Sequence, residues 1–130
     1  EIMPSLVGSE MCIRDRYKLD NLCAVVDRNR LQISGNTEDV MGHDDLHERF
    51  RSFGWHVIDV KDGNDIDELH AAFEEAKCVK EKPTVLIANT VKGKGSSIME
   101  NKANWHHKVP TTEEYETIMK DLKTAEEALS

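Results

Sequence analysis

Three short apolar runs, separated by helix-period segments, leave this chain few folds to adopt. Leu22-Cys23-Ala24-Val25-Val26 is continuous and bounded by Asn21 and Asp27, which predicts a strand buried on both faces of a parallel sheet. Trp55 to Val60 and Pro83 to Ala88 predict two more strands. From Asp44 to Phe53 the apolar residues Leu46, Phe50 and Phe53 fall on one helical face, and Gly54 can end that helix in the left-handed region. Asp62-Gly63-Asn64-Asp65 is turn chemistry. Asn64 or Asp65 can cap a helix from about Asp65 to Cys78, with Ile66, Leu69, Phe73 and Ala76 on its inner face. After the irregular stretch Thr90 to Pro110, a last helix from Thr112 to Leu129 turns Tyr115, Ile118, Leu122 and Ala125 inward. Strand–helix–strand–helix–strand with short connections predicts an α/β fold, a partial parallel sheet with flanking helices. A doubly wound sheet has roughly five or six strands, so three make an incomplete one.

Residues 1–16 show no sustained period and no apolar run of signal-peptide length. They are expected to be a non-native leader, with the interpretable domain at 17–130. No stretch reaches the roughly 18 apolar residues of a membrane span, so no membrane association is expected. Cys12, Cys23 and Cys78 match neither a disulfide framework nor a zinc pattern, and a reducing cytoplasm suits them. Cys23, inside an apolar strand, is expected to be inert, and Cys78 stands at a helix end near Lys77 and Lys80.

The net charge of −8 is unevenly spread. Residues 36–79 hold 12 acids and 4 bases, residues 80–110 hold 6 bases and 2 acids, and residues 111–130 hold 6 acids and 2 bases. One basic island in an acidic chain suits a small anion and argues against a nucleic-acid partner.

Ligands of open α/β sheets bind beyond the carboxyl ends of the strands, which directs attention to Asp27 to Gly35 and Thr90 to Pro110. Asn29 offers a hard, uncharged oxygen suited to magnesium, and the Leu31 carbonyl can join it. The same Asn equally suits a turn, bonded to its own backbone. Thr90-Val91-Lys92-Gly93-Lys94-Gly95-Ser96-Ser97 can wrap an anion with backbone N–H groups and an ammonium, or form an exposed turn. It is no Walker loop, because Ala88 stands where that motif needs its first glycine. His106 can donate to a phosphate or protonate a reacting oxygen, or be a surface residue. Chelation by His106 and His107 together is not expected. His43, His47, His56 and His70 are expected to be ordinary.

Together, and in this order, the segments Tyr17-Lys18-Leu19-Asp20-Asn21-Leu22, Val26-Asp27-Arg28-Asn29-Arg30-Leu31-Gln32, Asn89-Thr90-Val91-Lys92-Gly93-Lys94-Gly95, Met99-Glu100-Asn101 and Trp105-His106 resemble transketolase. The likeness is to the N-terminal subunit of the two-chain type and covers Tyr17 to the C-terminus. It implies a thiamine diphosphate-binding fold, present here as the C-terminal part of that domain. It implies that Asn29 and Leu31 bind Mg2+, that Lys92 lies near the cofactor, and that His106 contacts the diphosphate and acts in catalysis. It further implies sugar phosphate substrates, transfer of a two-carbon ketol unit, a pyrimidine-binding C-terminal subunit or domain as partner, a dimeric intact enzyme, and no activity for this chain alone.

Two departures stand out. The family's Gly-Asp-Gly, which opens its metal motif, is absent. His107 stands where the family usually has Gly, a residue that permits positive φ or close approach. The alternatives are another thiamine diphosphate enzyme, such as deoxyxylulose-phosphate synthase, or a non-catalytic anion-binding or interaction module.

Overall fold

The computed structural model describes residues 18–40, 42 and 45–129. The expectations for residues 1–16, Tyr17 and His43 lie outside them. The described residues divide into two compact units, one formed by 18–28 and 45–89 and one by 29–40, 42 and 90–129.

The first unit is a three-stranded parallel sheet, β1 (Cys23–Arg28), β4 (His56–Val60) and β5 (Thr84–Asn89), in the order β1-β5-β4. The last strand in sequence therefore takes the centre, with Cys23 to Arg28 in register with Thr84 to Asn89 on one side and His56 to Val60 in register with Thr84 to Ala88 on the other. Central position explains its burial, for Val85, Leu86 and Ile87 are each 0% exposed. Helix α3 (Ile66–Cys78) covers one face of β4 and β5. Its Ala72 and Ala76 join Ile58, Val60, Leu86 and Ala88 in the core, with Leu69 packed against them. Asp65 caps it by accepting the N–H groups of Asp67 and Glu68, at 2.8 and 3.2 Å. Helix α2 (Leu46–Ser52) starts at Asp45, and Gly54 leaves it at φ 77° as its position predicts.

Two expectations are corrected here. β1 is not buried on both faces: Cys23, Val25 and Asp27 are exposed, and Ala24, Val26 and Arg28 are half-buried. Among the described residues it pairs on one side only, with β5, and none of its residues joins the core that α3 covers. The inner face of α3 also differs, since Ile66 is 80% and Phe73 40% exposed. Ile66 is the first residue of the helix, and Ala72 and Ala76 with Leu69, rather than Ile66 and Phe73, make the contact with the sheet.

The second unit contains a hairpin, β2 (Leu31–Gln32) with β3 (Gly35–Asn36), and the short helix α1 (Thr37–Val40), none of which the apolar pattern signals. They are too short to show a period. The remainder is the 90–111 segment, with a 3-10 turn at Ala103–Trp105, and helix α4 (Thr112–Leu129). Of the expected inner face of α4, Ile118 is half-buried whereas Tyr115, Leu122 and Ala125 are exposed.

Candidate functional site

Asn29, Leu31, Lys92 and His106 all belong to the second unit. Asn29 follows the last residue of β1, and Arg30 turns the chain at φ 61°. The Asn29 side chain folds back, its Oδ1 accepting the Leu31 N–H at 3.0 Å. The Arg30 carbonyl accepts the Thr37 N–H at 2.9 Å, which ties this turn to the start of α1. Asn29 thus adopts the turn geometry open to it from sequence, and that same turn holds it beside Leu31. A carbonyl-type oxygen has two lone pairs, so this bond does not exhaust Oδ1.

The glycine-lysine loop differs from an open anion cradle. The N–H groups of Lys94, Gly95 and Ser96 donate to Val91 O (3.2 Å), Glu100 Oε1 (2.9 Å) and Gly93 O (3.2 Å). These three amides are spent on the loop itself. What the loop offers an anion is side-chain charge: among the described residues neither the Lys92 nor the Lys94 ammonium is in an ion pair. The Lys92 carbonyl accepts Asn101 N–H at 3.0 Å and so closes the loop. Gly93, at φ 71°, has no room for a side chain, because a Cβ there would lie 2.8 Å from Met99 Cβ. Ser97 fastens the loop to α4 by donating its N–H (2.8 Å) and Oγ (2.7 Å) to Asp121 Oδ2. The Ser97 hydroxyl, followed by its N–H, holds the Asp121 carboxyl below the usual range.

His106 is exposed, just past the 3-10 turn, and its N–H donates to Ala103 O at 3.0 Å. Its ring meets that of His107 edge to face, with centroids 4.4 Å apart and planes at 81°. Rings so crossed do not present two nitrogens to one ion. His107 is not among the residues at positive φ, so the backbone here does not need the glycine usual in the family.

Sequence reasoning missed two features. Thr111-x-x-Glu114 is a capping box, with Thr111 N–H on Glu114 Oε2 (3.0 Å) and Glu114 N–H on Thr111 Oγ1 (3.3 Å). A threonine three residues before a glutamate at a helix start is its sequence signal. In the first unit, His47 lies between two carboxylates, with Nδ1 3.1 Å from Asp45 and Nε2 2.9 Å from Asp59, and no sequence spacing announces that pairing. Cys23 is exposed rather than enclosed, but partial burial pushes its thiol pKa up, which keeps it in the unreactive form.

The donor set fits two groups unequally. Two ammonium side chains and an exposed imidazole suit a diphosphate. Asn29 Oδ1 and the Leu31 carbonyl are hard neutral oxygens that fit part of a magnesium shell. Among the described residues no cluster of three His, Cys, Asp or Glu side chains could hold a metal ion. A magnesium ion held here would draw its balancing negative charge from a diphosphate and from ligands other than these two.

Residues 5–126 match the family described as transketolase, thiamine diphosphate binding domain. The chain is 44% identical over 115 residues to one subunit of the apulose-4-phosphate transketolase of Phocaeicola vulgatus, covering 88% of this chain and 41% of that protein. It is 40% identical over 108 residues to human transketolase, covering 83% of this chain and 17% of that protein. The chain therefore spans less than half the length of these curated relatives. Among solved structures, a Campylobacter jejuni transketolase superposes with a TM-score of 0.81 at 24% identity over 92% of this chain and 18% of that one, a likeness of fold. A Pichia stipitis transketolase in complex with sedoheptulose 7-phosphate superposes with a TM-score of 0.65 at 27% identity, over 97% of this chain and 22% of that one. This chain belongs to the transketolase thiamine diphosphate-binding domain family.

Proposed function

We propose that the chain serves a transketolase that transfers a two-carbon ketol unit from a ketose phosphate to an aldose phosphate, with thiamine diphosphate and Mg2+. What supports this most, beyond family membership, is that Asn29, Leu31, Lys92 and His106 share one compact unit. Thiamine diphosphate supplies the electron sink that carbon–carbon cleavage of a ketose requires. The chain's own residues do the rest. Asn29 Oδ1 and the Leu31 carbonyl bind the metal, and Lys92 offsets diphosphate charge. His106 orients the diphosphate and exchanges a proton with a substrate oxygen through its imidazole.

The relative in Phocaeicola vulgatus is one subunit of a transketolase made of separate subunits, which supports a pyrimidine-binding site carried elsewhere. We assign that role, and activation of the cofactor, to a partner subunit or domain, so the chain alone is inactive and the working enzyme is dimeric. The cytoplasm is its expected compartment.

The test is turnover of xylulose 5-phosphate with an aldose phosphate acceptor. Transfer is expected when the chain is combined with its pyrimidine-binding partner, thiamine diphosphate and Mg2+, and not from the chain by itself. Unaided turnover by the purified chain would refute the division of labour.

A further inference from the structure

We infer that Lys108 is a positioning residue for His106, fastening the segment that carries the imidazole to the N-terminus of α4. This rests on the reading of His106 as a cofactor and substrate contact. His106 is exposed and lies in irregular backbone, a setting that does not by itself fix an imidazole. Its neighbours do. Trp105 is 8% exposed, the best-buried large side chain of its segment. The Lys108 ammonium stands 4.2 Å from the centroid of the Trp105 ring, within cation–π range.

The same ammonium bonds Glu114 Oε1. Glu114 is in the first turn of α4, and its other oxygen, Oε2, accepts the Thr111 N–H at 3.0 Å. One carboxylate thus closes the capping box with one oxygen and holds Lys108 with the other. The Lys108 bond, followed by the Thr111 N–H, keeps the Glu114 carboxyl below the usual range. A single exposed ion pair is a weak restraint. Here it is joined to a buried ring on one side and a helix cap on the other. The stretch from Trp105 to Thr111 is thereby closed at both ends, with His106 inside it. A group that must meet a reacting atom gains from being held in place by its supporting contacts.

The chain has two tryptophans, so in a Trp55→Phe background, assembled with a partner whose own tryptophans are replaced by phenylalanine, Trp105 fluorescence reports this contact directly. Four variants test it in the full chain assembled with its partner, with circular dichroism to confirm folding. Lys108→Met removes the ammonium and keeps the stem. Lys108→Arg keeps charge, stacking and pairing. Glu114→Gln keeps an oxygen for the Thr111 N–H but drops the charge, and the Lys108→Met/Glu114→Gln double variant tests coupling.

Acrylamide quenching of Trp105 is expected to rise about twofold in Lys108→Met and in Glu114→Gln, with no further rise in the double variant and a return in Lys108→Arg. Turnover is expected to fall about tenfold in Lys108→Met, with the ketose KM within about twofold, and to recover in Lys108→Arg. Unchanged quenching in folded Lys108→Met, or an arginine variant no better than the methionine one, overturns the proposal. If Lys108→Met does not fold, the Glu114→Gln result decides in the same way. If the wild-type assembly binds no thiamine diphosphate, the reading of His106 fails, while quenching still shows whether Lys108 holds the segment.

Discussion

Asn29 Oδ1 and the Leu31 N–H are joined by a 3.0 Å hydrogen bond that folds the two proposed magnesium ligands into one turn. Asn29→Ala removes both the turn acceptor and a proposed metal oxygen. Magnesium-dependent thiamine diphosphate affinity is expected to drop at least about tenfold, the scale of one lost charge-assisted contact. Asn29→Asp keeps the acceptor and is expected to retain binding. Calorimetric titration of the assembled protein measures both, and unchanged affinity in Asn29→Ala counts against the metal assignment.

Gly93 and Gly35 separate crowding from backbone strain. At Gly93, φ is 71° and a new Cβ would lie 2.9 Å from the Met99 carbonyl carbon and oxygen. At Gly35, φ is 136° and nothing lies within 4 Å. Gly93→Ala is expected to cost about 2–4 kcal/mol and Gly35→Ala about 1–2 kcal/mol, read from urea unfolding. Equal losses would mean that the Met99 contact does not matter.

Leu86 is 0% exposed in the central strand, whereas Ile66 is 80% exposed. Leu86→Ala should cost about 2–5 kcal/mol, and Ile66→Ala within about 0.5 kcal/mol. Helical periodicity alone places Ile66 on the inner face of α3, so a large loss there would restore the periodicity-based face.

Acid should loosen the fold through four carboxyls. Asp45, Glu74, Glu114 and Asp121 are each held below their ordinary range. The leading causes are, in turn, the Glu48 N–H, Lys77, Lys108 and the Ser97 hydroxyl. A depressed folded pKa gives stability that is present above the unfolded value, near 4, and is lost as pH falls through the folded one. Tm is therefore expected to be insensitive to these groups from pH 6 to pH 8, roughly two units above that range, and to fall below about pH 4. Asp121→Asn should make the acid fall shallower, since an amide does not take up that proton. An unchanged acid slope in Asp121→Asn removes the Ser97 bond from the account.

The α/β architecture is legible in the sequence because three apolar runs and two helical periods are long enough to carry a pattern. β1 reads as enclosed because a continuous apolar run specifies a strand but not which neighbours cover it. Cys23 and Val25 are exposed for that reason. The hairpin at Leu31–Asn36 is set by two residue pairs and leaves no periodic trace. At the site, residue types are legible and their contacts are not. Lys92 and His106 stand out by chemistry, but the closure of the Lys94, Gly95 and Ser96 amides depends on tertiary bonds within the loop. Lys108 does not stand out, since its role depends on Trp105 and Glu114 meeting in space.

The most direct measurement is steady-state ketol transfer by the assembled protein, wild type against His106→Ala, at saturating thiamine diphosphate and Mg2+. A positioned acid–base group contributes about 10²–10⁴ in rate, so kcat should fall by at least about 100-fold with a much smaller change in the ketose KM. Wild-type kinetics in His106→Ala would contradict the site placed here.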